Sequence, residues 1–179
     1  MPGPREALTL LRDFFDAGGS VLWVIFAVSL LLWTLILERY LYLWWVYPRE
    51  LARRVDQWKA RGDQSSWFAH QIRAARIHEL SLELQRFLPF IKSLIAVCPL
   101  LGLLGTVTGM IQVFDVMTVL GTGNPKAMAR GISMATIPTM AGLVVAVSGL
   151  YFSSHLYHRT RQEERRAADL LRDYAEPRS

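Results

Sequence analysis

The sequence is poor in cysteine and contains three long stretches that carry no formal charge. Cys98 is the only cysteine, so the chain can form no intramolecular disulfide, and no zinc knuckle can be built on it. Asp, Glu, Lys and Arg are missing from residues 17–37, 93–114 and 131–158. A helix needs roughly 20 apolar residues to cross the hydrocarbon core of a bilayer, so each stretch is long enough to span it. These absences exclude a disordered chain, a disulfide-stapled secreted domain and, as the default, a soluble enzyme.

The positive charge of the 179-residue chain, +5 in total, is distributed unevenly between the segments that three spans would separate. Segments 1–19 and 120–130 hold four Lys and Arg residues, whereas segments 38–92 and 155–179 hold the other sixteen. Because Lys and Arg near span ends stay in the cytoplasm, we predict that the N-terminus and the 120–130 loop are periplasmic. Topology thus accounts for the charge, and since no nucleic-acid-binding motif is present, we expect no nucleic-acid partner.

The sequence predicts an all-α integral membrane protein with three transmembrane helices. Gly18–Gly19 would separate a short amphipathic helix from the first span, and Glu38–Arg39 marks the inner end of that span. An aromatic belt at headgroup depth follows from Tyr40 to Tyr47, and Pro48 would end or kink the helix. The predicted segments are a periplasmic amphipathic helix 1–19, transmembrane helices 20–39, 93–119 and 128–154, a cytoplasmic helical region 40–92, a periplasmic loop 120–127 and a cytoplasmic helical tail 155–179.

The region between the first two spans is predicted to be helical because it lacks the alternation of a strand. We expect a break near Gly62–Asp63. Beyond it, apolar residues recur at steps of three and four from Ile77 to Ile91 and lead directly into the second span. We therefore predict one helix over about 65–119, kinked but not ended at Pro89, so that the second and third spans both extend into the cytoplasm as long helices.

The second and third spans each carry a stripe of small residues at helical spacing. Small residues let two helix backbones approach closely, which favours helix association in a bilayer. Each stripe lies beside a threonine, Thr106 or Thr139, and Pro138 frees a backbone carbonyl one turn earlier. The first span is bulky and suits contact with lipid. The residues predicted to pack the helices are Gly102, Gly105, Gly109, Ala135, Gly142, Ala146 and Gly149.

Helix packing alone would also explain both threonines, whose hydroxyls would then bond back to carbonyls of their own helices. Asp115 is the acid closest to the membrane interior, which makes it either a functional group or a solvated residue at a helix end. His155 and His158 lie three residues apart, but no third ligand accompanies them, so we predict an interfacial pair with neither metal nor cofactor. A membrane enzyme would need a catalytic cluster that the sequence does not show.

Two motifs resemble the MotA/TolQ/ExbB proton-channel family. They are PLLGLLGTVTGMIQVF at 99–114 and, after a short Gly/Asn/Pro loop, the pattern AxGIS followed by a threonine and GLVVAV at 129–147. The resemblance covers about residues 85–155, and the length and three-span layout resemble short ExbB members. It implies a homopentamer in the bacterial inner membrane whose second and third spans line a pore. Inside that pore would lie single-span ExbD-like helices that carry a proton-accepting Asp.

The resemblance also implies roles for individual residues. Thr106 and Thr139 correspond to the two pore threonines of the family. We add Thr136 and Asp115, which no family motif assigns, to complete the predicted proton pathway. Family members often carry Glu where this chain has Met134, and Thr136 offers an additional hydroxyl nearby. The spans contain no acid at mid-membrane, so the partner would supply the proton carrier. The threonine hydroxyls would hydrogen-bond its carboxylate, and protonation would release the partner to step to the next protomer.

The implied function is conversion of proton-motive force into mechanical work on TonB, for outer-membrane import of nutrients of the iron-siderophore type. The implied partners are an ExbD-like protein, TonB and the phospholipid of the inner membrane. One alternative is a TolQ-like subunit that energises the Tol-Pal envelope system. Another is a non-conducting membrane scaffold, which would keep the small-residue stripes and tolerate the loss of both hydroxyls.

Overall fold

The structure is a computed structural model that describes residues 4–60, 66–120 and 125–173. The regular structure of these residues is entirely helical, so the predicted all-α fold is confirmed. The predicted break near Gly62–Asp63, the turn residues 121–124 and the end of the tail lie outside the described residues. The elements are α1 (Pro4–Leu41), a π-helix (Tyr42–Val46), α2 (Tyr47–Lys59), α3 (Trp67–Gln85), α4 (Leu88–Leu120) and α5 (Pro125–Asp173).

Three helical stretches are long and apolar enough to cross a membrane. They run over Arg12–Lys59, Trp67–Thr118 and Met128–Leu170, and their apolar windows have mean hydropathies of 2.5, 2.1 and 1.6. The prediction of three membrane-spanning helices is therefore confirmed at the level of length and composition. The side of the membrane on which each end lies stays a prediction.

An interruption at Gly19 divides α1 into two helical parts. Gly19 has φ 68° and ψ −166°, a conformation that is easy only for glycine. Aromatic side chains pack across the interruption, because the ring of Phe15 stacks on Trp23 with centroids 4.3 Å apart and meets Phe26 edge-on at 5.4 Å. The segment before Gly19 is thus held against the start of the first span.

A π-helical turn precedes Pro48. Proline cannot donate to the carbonyl of Trp44 four residues earlier, and its ring crowds that carbonyl. The helix is wider over Tyr42–Val46, which accommodates the proline, and α2 continues from Tyr47. Pro48 therefore changes the helix type and leaves the chain helical.

The prediction of one helix over 65–119 is wrong at one point. α3 ends at Gln85 and α4 begins at Leu88, with Phe87 between them in the left-handed region at φ 66°. The physical reason is Pro89, which has no N–H and whose ring would clash with the carbonyl of Gln85 in a continuous helix. The proline was expected to kink the helix, but the helix stops and a new one starts.

The chain divides into two compact units. Unit 1 comprises Met1–Trp33 and Lys92–Leu150, and unit 2 comprises Thr34–Ile91 and Tyr151–Ser179. Unit 1 contains most of the apolar spans. Unit 2 contains α2, α3 and the charged end of α5.

Large side chains form the core of unit 2. The indole of Trp58 is buried, and Tyr47 is buried with its hydroxyl donating to the carbonyl of Glu163 at 3.2 Å. Burial raises the pKa of the Tyr47 phenol far above its usual range. Ser66 caps α3 by accepting a hydrogen bond from the amide of Ala69 at 3.1 Å. The core residues are Tyr47, Leu51, Val55, Trp58, Ala69, Leu80, Leu84 and Ala167.

An arginine-centred ion-pair network joins α2 to α3 beside this core. Arg54 contacts Oε1 of Glu50 at 3.0 Å, Oε1 of Glu83 at 2.9 Å and Oε2 of Glu79 at 3.6 Å. Hydrogen bonds from Arg54 and then Arg53 lower the pKa of the Glu50 carboxyl. A network centred on one arginine holds the two helices in register more specifically than isolated surface pairs would.

Candidate functional site

α4 and α5 approach each other closely along their small residues in unit 1. A Cβ atom on Gly142 would lie 2.5 Å from the carbonyl oxygen of Cys98, and one on Gly109 would lie 2.6 Å from Cα of Ala135. In both places the neighbouring atom belongs to the backbone, which cannot turn aside as a side chain can. Contact of this kind requires glycine and replaces the hydrophobic driving force that helices lack inside a bilayer.

The same contact continues along both helices. A Cβ on Gly105 would lie 2.5 Å from Cβ of Pro138, and one on Gly102 would lie 3.0 Å from Cα of Thr139. The structure buries all the residues that the sequence assigns to helix packing, namely Gly102, Gly105, Gly109, Ala135, Gly142, Ala146 and Gly149.

The first span supplies a third apolar wall to unit 1. Leu22, Ile25 and Leu32 are buried, and a Cβ on Gly149 would lie 3.0 Å from Cδ2 of Leu32. The opposite face of this helix is apolar and exposed. Its large exposed residues within unit 1 are Trp23, Val24, Phe26, Leu30 and Leu31.

Two of the candidate hydroxyls bond within their own helices. Thr106 Oγ1 donates to the carbonyl of Leu103 at 2.7 Å, and Thr136 Oγ1 donates to the carbonyl of Ile132 at 2.8 Å. Each acceptor lies three or four residues earlier, the usual pattern for a hydroxyl inside a helix. Thr136 is exposed and Thr106 is half-buried in the single chain.

Thr139 behaves differently because its shorter hydrogen bond crosses between helices. Its Oγ1 donates to the carbonyl of Gly102 on α4 at 3.0 Å, whereas the carbonyl of Ala135 on its own helix is 3.5 Å away. The interpretation in which both threonines bond to their own helices therefore describes Thr106 fully, and it describes Thr139 only through the longer of its two hydrogen bonds. Proximity to Gly102 follows from the small-residue stripes, which bring the two backbones together.

The bonding pattern determines what these hydroxyls can do chemically. A hydroxyl has one hydrogen to donate and two lone pairs that accept. The hydrogens of Thr106, Thr136 and Thr139 are all donated to backbone carbonyls. Each oxygen can accept from a protonated carboxylic acid without change. To donate to a carboxylate, Thr106 has only to leave a carbonyl of its own helix, whereas Thr139 has to break a contact between two helices.

The structure places Asp115 away from Thr106 and packs Met134 beside the first span. Asp115 is exposed, and it lies nine residues beyond Thr106 on α4, or about 13 Å along the helix axis at 1.5 Å per residue. Met134 is half-buried, and its Cε lies 3.3 Å from where a Cβ on Gly19 would stand. The methionine thus packs against the interruption in α1.

Sequence reasoning used Arg39 only as the marker of a span end and missed its burial. Its exposed fraction is 3%. A span boundary alone does not signal burial, because Lys and Arg at span ends usually extend towards water. His155, also in unit 2, stacks on Tyr40 with ring centroids 6.3 Å apart. Over the described residues no group of three or more His, Cys, Asp and Glu could hold a metal ion.

Comparison with known proteins shows which family the sequence matches. The sequence model of the MotA/TolQ/ExbB proton channel family matches residues 48–169. An ExbB-like biopolymer transport protein of Synechocystis is 39% identical over 89 residues, which is 49% of this chain and 42% of that protein. The biopolymer transport protein ExbB of Helicobacter pylori is 28% identical over 154 residues, which is 86% of this chain and 89% of that protein.

A third relative is the biopolymer transport protein ExbB of Aquifex aeolicus, 31% identical over 85 residues, or 48% of this chain and 57% of that protein. The match to the Synechocystis protein spans less than half of that relative's length. No solved structure is significantly similar to the chain. The resemblance expected from the motifs is therefore confirmed by a family match that covers most of the sequence.

Proposed function

Because the chain belongs to the MotA/TolQ/ExbB proton channel family, we propose that it is the pentameric channel subunit of a TonB-energising system. Family membership and three long apolar helices make it a multi-pass protein of the bacterial inner membrane. The family is one of channels and transport subunits, not of enzymes. In this proposal five copies surround ExbD-like helices, and the complex uses proton-motive force to work on TonB for nutrient import of the iron-siderophore type.

The observation that carries the proposal is the α4–α5 pair. Two tightly packed helices carry hydroxyls at Thr106, Thr136 and Thr139, and residues 93–114 and 131–158 contain no acid. A rigid, uncharged wall of this kind suits a pathway whose proton carrier comes from another protein. The relatives are biopolymer transport proteins named ExbB, which supports the ExbB role over a TolQ-like role.

The two threonines have separate tasks in the mechanism that we propose. A charged Asp at the centre of a membrane costs about 2.5–3.5 kcal/mol on insertion scales. Thr106 turns from the Leu103 carbonyl to the partner's carboxylate, because a charged acceptor binds a hydroxyl more strongly than a carbonyl does. Thr139 keeps α4 and α5 together through Gly102. Both oxygens accept from the acid once it is protonated.

Proton transfer then drives a step of the partner. A proton from the periplasm neutralises the Asp and weakens its hold on Thr106, so the partner helix is free to move to the next protomer. Release of the proton to the cytoplasm restores the charge and the hold. Each proton that moves down 100 mV supplies about 2.3 kcal/mol from the potential alone. Asp115, placed towards the periplasmic end of α4, would attract the entering proton.

The membrane orientation belongs to the same proposal. Segments 1–19 and 120–127 face the periplasm, and segments 40–92 and 155–179 lie in the cytoplasm. The sixteen basic residues of segments 38–92 and 155–179 support this orientation, since Lys and Arg near span ends resist translocation. Cysteine accessibility in spheroplasts tests it, with Ser20 and Arg73 changed to cysteine in a Cys98→Ser chain. Labelling of position 73 from outside would contradict the orientation.

Co-expression with a single-span partner that carries an intramembrane Asp tests the assembly. The expected result is a complex of five copies of this chain with two copies of the partner, detected by native mass spectrometry. No complex, or a stable complex of another composition, would contradict the proposal. Complementation of strains that lack either system separates the roles: restored siderophore uptake supports the ExbB role, and restored envelope integrity alone points to the TolQ-like role.

A further inference from the structure

The junction between α3 and α4 holds a bulky residue in an unfavourable backbone conformation. Phe87 is the one non-glycine residue with positive φ in the described part of the chain, at φ 66°. For a side chain of this size the left-handed region is strained. Strain of this kind persists only where neighbouring groups hold the residue in place.

Only the carbonyl of Phe87, and not its amide, takes part in helical hydrogen bonding. Its carbonyl accepts the amide of Ile91 at 2.9 Å, which is the first i to i+4 bond of α4. In a continuous helix its amide would bond to the carbonyl of Glu83 in α3. Since Pro89 prevents continuity, the backbone at Phe87 sets the direction in which α4 starts.

Arg39 contacts both sides of this junction from within the fold. Its Nη1 donates to the carbonyl of Glu83 at 3.2 Å, in the last turn of α3 where carbonyls lack helical partners. Its guanidinium carbon lies 5.1 Å from the ring centroid of Phe87 and 5.1 Å from that of Tyr42. A cation at this position also interacts favourably with the negative end of the α3 dipole.

Burial of this arginine is poorly explained by stability alone. Its side chain is 4% exposed, and the paired carboxylate of Glu38 lies 3.5 Å from Nε and is itself 49% exposed. A buried charge with partial pairing often contributes less to stability than an apolar side chain of the same size. Two of the contacts of Arg39 are instead with groups that define the junction, the Glu83 carbonyl in the last turn of α3 and the ring of Phe87.

We propose that Arg39 is a positioning residue of the channel, a clamp that holds Phe87 in its left-handed conformation and so fixes the course of α4. The inference rests on the proposed function, because α4 carries Gly102 and Thr106. Without the clamp, Phe87 relaxes to an ordinary conformation and the first turn of α4 loosens. The hydroxyl of Thr106 is then no longer presented at a fixed place, although its own residues are intact.

Arg86 provides a matched control within the same junction. Its guanidinium carbon also lies 5.1 Å from the Phe87 ring, but its side chain is exposed. A solvated cation over a ring contributes much less than a buried one. Arg39→Met and Arg86→Met therefore remove the same chemical group from the same ring, once from the buried side and once from the solvent side.

The experiment compares wild type, Arg39→Met, Arg39→Lys and Arg86→Met in the full complex with the partner. We measure thermal unfolding, amide hydrogen exchange at Ile91, and proton flux in proteoliposomes. Arg39→Met is expected to keep the wild-type Tm or raise it, while exchange rises and flux falls about tenfold, the equivalent of one buried cation–π contact or charged hydrogen bond. Arg39→Lys behaves like Arg39→Met because an ammonium cannot lie flat between two rings. Arg86→Met behaves like wild type.

Wild-type exchange and flux in Arg39→Met would overturn the clamp. A loss of flux in Arg39→Met that is accompanied by a lowered Tm would also overturn it. So would a loss of flux in Arg86→Met equal to that in Arg39→Met. Should Arg39→Met fail to fold, Phe87→Leu gives a second test, because leucine keeps the strain of a positive φ but offers no ring. It is expected to keep Tm and lose flux, and unchanged flux would refute the clamp. If the wild-type complex conducts no protons, the proposed function fails, and amide exchange in Arg39→Met still decides the clamp.

Discussion

The α4–α5 contact of unit 1 and the core of unit 2 are built from opposite kinds of side chain. In unit 1 the helices meet through glycine and alanine, and a backbone carbonyl lies 2.5 Å from where a Cβ on Gly142 would stand. In unit 2 they meet through buried Trp58 and Tyr47, with Arg54 pairing three carboxylates at the margin. The hydrophobic effect drives helices together in water, but it does not do so in lipid. In unit 1, close approach of the α4 and α5 backbones therefore takes the place of large buried side chains. The candidate hydroxyls lie along this contact.

The largest effect on stability is expected from a substitution in the core of unit 2. Trp58→Ala removes an indole that is 1% exposed and should lower the free energy of unfolding by about 3–5 kcal/mol, measured on the detergent-solubilised chain. Trp67→Ala is the matched control, because its indole is 67% exposed and its loss should change stability by less than about 0.5 kcal/mol. Equal effects of the two substitutions would contradict the claim that large buried side chains stabilise unit 2.

The next largest effect is expected from a single methyl group in the α4–α5 contact. Gly142→Ala places its Cβ against a backbone carbonyl and should destabilise the protein by about 1–3 kcal/mol despite the better helix propensity of alanine. Gly149→Ala meets only side-chain atoms, Cδ2 of Leu32 at 3.0 Å and Cγ1 of Ile95 at 3.1 Å, and should be close to neutral. Tolerance of Gly142→Ala in thermal unfolding would mean that the backbones are not in fixed contact there.

A smaller effect separates the two threonines within unit 1. Thr139→Val removes a hydrogen bond between helices and should lower the free energy of unfolding by about 1 kcal/mol. Thr106→Val removes a bond within one helix and should change it by less than about 0.5 kcal/mol. Reversal of this order would show that Thr139, and not Thr106, has the replaceable hydrogen bond.

The smallest effect is expected at Met134. Its side chain packs beside Gly19, and leucine has nearly the same volume, so Met134→Leu should change stability by less than about 0.5 kcal/mol and leave proton flux unchanged. Met134→Glu is the informative companion, since it restores the acid that family members often carry. A marked loss of flux in Met134→Leu would give this position a role beyond packing.

The spans and their small-residue stripes could be predicted from the sequence because each follows from local periodicity. The absence of charged residues shows how long each span is. The spacing of Gly102, Gly105 and Gly109 shows which face of the second span is lined by small residues. The hydroxyls could be located on those faces, but not their acceptors. The bond from Thr139 to Gly102 depends on how two helices are offset, which the sequence of either one does not contain.

The junction at Phe87 could not be predicted for a related reason. The apolar spacing from Ile77 to Ile91 is uninterrupted there, and Pro89 alone is compatible with a kink or a stop. Under our proposal a side chain far away in sequence holds the junction, since Arg39 supplies the carbonyl contact and the ring contact. No pattern in the neighbouring sequence predicts that a charged residue at a span end is buried.

Proton flux through the reconstituted complex tests the central claim most directly, with Thr106 as the variable. Thr106→Val keeps the shape and removes the hydroxyl, while Thr106→Ser keeps the hydroxyl and removes a methyl group. We expect Thr106→Val to lower flux about 10- to 100-fold, the equivalent of one hydrogen bond to a charged group, at unchanged stability. Thr106→Ser should retain most of the flux. Undiminished flux in Thr106→Val, with the partner present at wild-type stoichiometry, would contradict the account.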